Sequence, residues 1–237
     1  MLTVGSLFAG IGGFDLGLER AGFTIRWQCE IDPWCRRVLT KHWPNVKRYG
    51  DITGTDWTAV ETVDLVCGGF PCQPFSTASH GRRTACNLWP EMFRAVEILK
   101  PAWVIVENVV GAANLVLHEV ATDLESLGYE VAPPLEIPAC AVGLDHWRPR
   151  YWVLAYAHAY RKSGVPQYAE VAQLSRSYCY TGGVGAANGV SQRMDRLRGL
   201  GNAIVPQIAE WLGRQIINAQ EDTHDQSRTR EAGTVFS

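Results

Sequence analysis

Val63-Asp64-Leu65-Val66-Cys67-Gly68-Gly69-Phe70-Pro71-Cys72-Gln73-Pro74-Phe75-Ser76 begins as an apolar run and ends as a loop braced by two prolines. Val63 to Cys67 predicts a buried strand. Gly68 and Gly69 let the backbone come close to a ligand, and Pro71 and Pro74 fix φ on either side of Cys72. Such a loop presents one sulfur at the end of a strand. A free cysteine more commonly packs as a small hydrophobe. The bracketing prolines favour a presented, working thiol here.

Outward from this strand the chain alternates. Leu2–Phe8 predicts a strand and Gly13–Ala21 a helix. Ile25–Glu30 is strand-like, Pro33–His42 helical and Lys47–Asp51 a short strand. Trp89–Leu99 predicts a helix ended by Lys100-Pro101. Ala102–Glu107 follows as a strand, Glu119–Leu127 as a helix before Gly128, and Tyr151–Ala157 as a strand. Strands alternating with helices of this length predict an α/β fold, with a mostly parallel central sheet and helices on both faces. Pro206–Asn218 is a closing helix with Ile208, Ala209, Leu212, Ile216 and Ile217 on its inner face. Residues 77–87 read as a mobile polar loop. Residues 158–194 have weak periodicity and a Gly-rich stretch at 182–185.

The strand ends carry the ligand-type residues. Phe8-Ala9-Gly10-Ile11-Gly12-Gly13 sits between a strand and a helix, where glycines admit a ligand to the backbone and to the helix N–H groups. Its spacing is not the G-x-G-x-x-G of dinucleotide enzymes. Glu30-Ile31-Asp32 ends the second strand, where an acid can accept the hydroxyls of a ribose. Gly50-Asp51-Ile52 ends the third, where a carboxylate can bond an adenine amino group. Helix capping is the alternative use of Glu30 and Asp51. Acids at successive strand ends favour the ligand.

Pro71-Cys72-Gln73 with Phe75-Ser76 resembles the nucleophile loop of the DNA cytosine-5 methyltransferases. Phe8 to Gly13, Glu107-Asn108-Val109, Arg148-Pro149-Arg150 and Gly201-Asn202-Ala203-Ile204-Val205-Pro206 resemble other blocks of that family, in the family's order, over residues 4 to about 217. The resemblance implies a short bacterial or phage-like member with a Rossmann-like S-adenosylmethionine-dependent fold. It assigns S-adenosyl-L-methionine to Phe8, Ala9, Gly10, Ile11, Gly12, Gly13, Glu30, Ile31, Asp51, Ile52, Pro71, Leu88, Asn202 and Ile204. Cys72 would add to C6 of cytosine, Glu107 would bond N3 and the exocyclic amine, and Arg148 and Arg150 would hold O2 and support the nucleophile loop. Asn108 would order that loop. Gln73, Ser76, Arg82, Arg83, Arg193 and Arg196 would contact DNA. The family shows Gln-x-Arg-x-Arg where this chain has His146-Trp147-Arg148-Pro149-Arg150.

The implied activity is DNA (cytosine-5-)-methyltransferase, on double-stranded DNA with base flipping. Two alternatives stand beside it. One is a tRNA cytosine-5 methyltransferase, although Gln73-Pro74-Phe75-Ser76 is of the DNA type. The other is a nucleic-acid-binding protein that kept the fold and lost turnover. The implied organisation is a catalytic and cofactor core at 1–157, a short target-recognition region at 158–196, closing elements at 197–220 and a disordered tail at 221–237. The recognition segment is short, and Arg161, Lys162, Arg176, Arg193, Arg196 and Arg198 can bind phosphate without reading bases. Trp147, Tyr156, Tyr168 and Tyr178 are the aromatic residues able to stack on a base.

Composition narrows the setting. The chain has 237 residues and a formal charge of −2, but residues 145–200 hold eight Arg/Lys against three Asp/Glu. A local basic patch of this kind suits a phosphate backbone. No run is long and apolar enough to span a membrane, and the start lacks a charged leader, so no signal peptide is expected. Seven cysteines at irregular spacing, with no C-x-x-C, indicate neither zinc nor a disulfide framework. The expectations are no metal, a reducing cytoplasm, a monomer, and as partner a cognate restriction enzyme or a separate recognition subunit.

Overall fold

The computed structural model describes residues 1–71, 87–110, 113–157 and 203–233, with backbone alone at 113–115 and 221–233. The strands are β1 (Thr3–Leu7), β2 (Thr24–Cys29), β3 (Lys47–Tyr49), β4 (Leu65–Gly68), β5 (Trp103–Val109), β6 (Tyr129–Val131), β7 (Leu135–Pro138) and β8 (Pro149–Ala157). The helices are α1 (Gly13–Ala21), α2 (Pro33–His42), α3 (Trp89–Leu99), α4 (Ala113–Ser126) and α5 (Pro206–Gly233). The sheet order is β3-β2-β1-β4-β5-β8-β6, with β7 also paired to β8. Strands β1 to β5 pair in parallel, and β8 runs antiparallel to β5, β6 and β7.

Alternation along the central strands divides the core in two. Trp103 and Ile105 of β5, Leu65 and Cys67 of β4, and Trp152 and Leu154 of β8 pack on the face that also buries Phe14 and Leu18 of α1 and Ile208, Leu212 and Ile216 of α5. Val104 and Val106, Val66, and Val153 and Ala155 face the opposite side, with Met92 and Val96 of α3 and Val120 and Leu124 of α4. Helices on both faces make the central strands apolar on both sides.

The boundaries of α1, α2 and α3 fall where the sequence signals put them. Asp32 caps α2, accepting from the backbone N–H groups of Trp34 and Cys35, with Pro33 in the first turn. Two helices differ. Helix α4 starts at Ala113, a turn and a half before the expected Glu119, because Val116 continues the buried stripe of Val120 and Leu124. Helix α5 runs to Gly233, past the expected end at Asn218 and into the segment expected as a disordered tail, whose residues 234–237 lie outside the described residues. No glycine or proline interrupts the sequence between Arg214 and Ala232, so nothing in the backbone chemistry stops the helix. Strands β6 and β7 were not anticipated; they are three and four residues long, too short to show a period. No helix among the described residues is long and apolar enough to cross a membrane.

Candidate active site

The carboxyl ends of the parallel strands open into one cavity of about 670 Å³. This is where open α/β sheets place ligands. After β1 the chain turns through Phe8 at φ 52° and Gly10 at φ 56°. A left-handed non-glycine residue is costly and marks a constrained functional turn. Glu30 after β2 holds that turn: its carboxylate accepts from Gly10 N–H at 2.7 Å and from Asp32 N–H at 2.8 Å. The capping role weighed for Glu30 thus belongs to its neighbour Asp32. After β3, Asp51 Oδ1 accepts from the N–H and hydroxyl of Thr53, which holds its carboxyl below the usual range.

After β4, Gly69 lets two other groups in. A Cβ there would stand 2.8 Å from Glu107 Oε2 and 3.4 Å from Ile204 Cδ1. Phe70 is buried against Trp89, ring centroids 5.6 Å apart, and its carbonyl accepts from Asn108 Nδ2 at 3.4 Å. Asn108 therefore holds the Phe70 carbonyl, one residue before Pro71.

Glu107 lies in the buried part of β5, next to Asn108, and is 8% exposed. Burial pushes its carboxyl up to about 7 from 4.5, against the opposing pull of Arg150 and Arg148. Arg150 Nε lies 3.1 Å from Glu107 Oε1. Arg148, at φ 35°, donates from Nη2 to the carbonyl of Ala203 at 2.9 Å. One arginine thus pairs with the carboxyl and the other ties the segment before α5 to the site. His146, where the family shows Gln, is half-exposed, its Nδ1 3.8 Å from Asp145.

Phe8, Gly10, Glu30, Ile31, Asp51, Ile52, Pro71, Leu88, Glu107, Arg148 and Arg150 all line the cavity. Ala9, Ile11, Gly12, Gly13 and Ile204 are not on its wall. Ile204 backs it instead: a Cβ on Gly13 would meet the Ile204 carbonyl oxygen at 2.4 Å. Cys72, Gln73, Ser76, Arg82, Arg83, Arg193, Arg196 and Asn202 lie outside the described residues. The sequence reading missed Asp32, Trp34 and Cys35, which also line the cavity. The available signal was Asp32-Pro33-Trp34, an aromatic in the first helical turn beyond the strand-end acid. Among the described residues no group of three His, Cys, Asp or Glu is placed to hold a metal.

Comparison with known proteins bears on family and fold. Type II methyltransferase M2.BsuMI of Bacillus subtilis is 35% identical over 65% of this chain and 42% of its own length. M.Eco47II of Escherichia coli is 36% identical over 65% of this chain and 39% of its own. The matches thus span about two fifths of these relatives. Among solved structures, a chain assigned as an E. coli prophage DNA modification methyltransferase aligns with TM-score 0.59 at 24% identity, covering 68% of this chain and 48% of that one. DNMT2 of Spodoptera frugiperda aligns with TM-score 0.58 at 19% identity, covering 66% and 50%. These two likenesses show the fold. The family model for C-5 cytosine-specific DNA methylase matches residues 2–178, and the chain belongs to that family.

Proposed function

We propose that this chain transfers a methyl group from S-adenosyl-L-methionine to C5 of cytosine in DNA. The observation that carries the reading is the Glu107–Arg150 pair: a buried carboxyl near neutrality shares a cavity with strand-end acids Glu30 and Asp51. The DNA substrate is preferred over tRNA because the matching family model is that of a C-5 cytosine-specific DNA methylase.

The residues present fit the cofactor. Each Glu30 oxygen accepts one backbone N–H and keeps a lone pair for a ribose hydroxyl. Ile31, 66% exposed on the cavity wall, offers an apolar surface that a purine would cover. The volume is within the usual small-ligand range. Bound there, S-adenosyl-L-methionine supplies an electrophilic methyl group.

The chain's own residues do the rest. Cytosine C5 is a weak nucleophile. Addition of the Cys72 thiolate to C6 makes the ring an enamine, and N3 gains electron density as it does so. Glu107, neutral up to about pH 7, donates its proton to N3 at that step. Arg150 holds the Glu107 carboxyl in place and, with Arg148, faces the cytosine O2. C5 would then take the methyl group as S-adenosyl-L-homocysteine departs; a base removes the C5 proton, its electron pair expels the Cys72 sulfur as thiolate, and N3 returns its proton to Glu107. A cognate restriction enzyme or separate recognition subunit, a monomeric state, and recognition by residues 158–196 belong to the same proposal.

The test is methyl incorporation from labelled cofactor into duplex DNA and into tRNA. In parallel, duplex DNA with 5-fluorocytosine at the target should form a stable adduct, since fluorine cannot leave as a proton. Cys72→Ser should abolish the adduct. An adduct that survives Cys72→Ser, or label in tRNA alone, overturns the reading.

A further inference from the structure

The described residues expose four large apolar side chains: Met1, Ile31, Ile98 and Trp147. Met1 is the first residue, Ile98 is barely exposed at 37%, and Ile31 lines the cavity. Trp147, at 57%, has no such account. It directly precedes Arg148-Pro149-Arg150, whose two arginines line the cavity.

The turn that carries this indole is fixed on both sides. Ala139 N–H donates to the Trp147 carbonyl at 2.8 Å. The next residue, Arg148, is locked at φ 35° with its guanidinium on the Ala203 carbonyl. Little backbone freedom remains to be lost when the ring meets a partner. Among the other stacking candidates, Tyr156 is spent internally: it is 6% exposed, its ring lies 5.5 Å from Trp103, and its hydroxyl bonds Glu130. Tyr168 and Tyr178 lie outside the described residues.

We propose that Trp147 is a stacking platform for a nucleobase of the DNA strand that carries the target cytosine. The proposal rests on the DNA methyltransferase reading. Extruding a cytosine uncovers the faces of its neighbours in the stack. An exposed indole one residue before the cavity-lining Arg148 can cover such a face, and it tolerates any base because every base has a π-face. A nucleobase is favoured over a protein partner because the exposed aromatic is a single ring in a segment that carries two arginines, not a patch.

The experiment compares Trp147→Ala, Trp147→Phe and Trp147→Leu in the full chain. Duplex DNA affinity, cofactor affinity, thermal midpoint and methyl transfer are measured for each. Trp147→Ala should weaken DNA binding about 5- to 100-fold, with cofactor affinity and thermal midpoint unchanged. The slope of log affinity against log salt should also hold, because no phosphate contact is lost. Trp147→Phe should keep most of the affinity, and Trp147→Leu should behave as Ala. Wild-type DNA affinity in Trp147→Ala overturns the proposal, as does equal binding by the Phe and Leu variants. A lowered midpoint with unchanged DNA binding also overturns it, since the ring would then be covered by its own chain. Where the wild type methylates DNA and Trp147→Ala matches it, the stacking role alone fails. A wild type that methylates no DNA overturns both readings.

Discussion

Glu107→Gln should remove a pH dependence of stability that the fold imposes on the wild type. Glu107 is 8% exposed and its carboxyl is pushed from 4.5 to about 7, chiefly by burial, with Arg150 and Arg148 pulling the other way. At about 1.36 kcal/mol per pH unit, that rise corresponds to about 3 kcal/mol. The folded state holds the proton to a higher pH than the unfolded state does. The contribution to stability is therefore fully present below about pH 4.5 and is lost as pH rises through about 7. Glutamine has the same shape and cannot ionise. Urea denaturation of both proteins across this range isolates the effect, because other titrating groups cancel in the difference. The wild type should lose about 3 kcal/mol relative to Glu107→Gln on going from acid to mildly alkaline pH. A difference that stays flat with pH would refute the reasoning. In the same window, turnover that needs a proton on Glu107 should fall off above about pH 7. Arg150→Ala should move that fall to higher pH, since Arg150 lowers the carboxyl.

Two further outcomes follow from particular contacts. Glu30→Ala removes the acceptor for Gly10 and Asp32 N–H as well as for a ribose; at about 1.5–3 kcal/mol per charge-assisted bond, calorimetry should show S-adenosyl-L-methionine affinity falling at least about tenfold, and unchanged affinity would leave Glu30 a purely structural residue. Gly13→Ala puts a methyl 2.4 Å from the Ile204 carbonyl oxygen, a backbone atom that cannot swing aside; overpacking of this kind costs about 1–3 kcal/mol, so a melting curve superimposable on the wild type's would show that the segment before α5 yields.

Local chemistry determined much of this protein. Gly22 after α1, Asp32-Pro33 before α2 and Lys100-Pro101 after α3 stop or start helices through their own backbone preferences, so those boundaries were legible. The order of strands and helices gave the parallel sheet, and acids at strand ends marked Glu30 and Asp51, because strand ends are where such a sheet leaves a crevice. What depended on distant segments was not legible. Strands β6 and β7 exist because β8 offers them an edge, and their own sequences are too short to carry a period. The sequence placed Glu107 and Arg150 in separate motifs; the antiparallel pairing of β5 with β8 puts Arg150 opposite Val109 and its guanidinium on the carboxyl. The proton affinity of Glu107 follows from that burial and pairing, and neither is a property of the residue itself. The same holds for Ile204, which reaches the first turn and Gly69 from the far end of the chain. Sequence supplies the groups and their local conformations; the sheet decides which of them meet, because desolvation and charge pairing act through space and not along the chain.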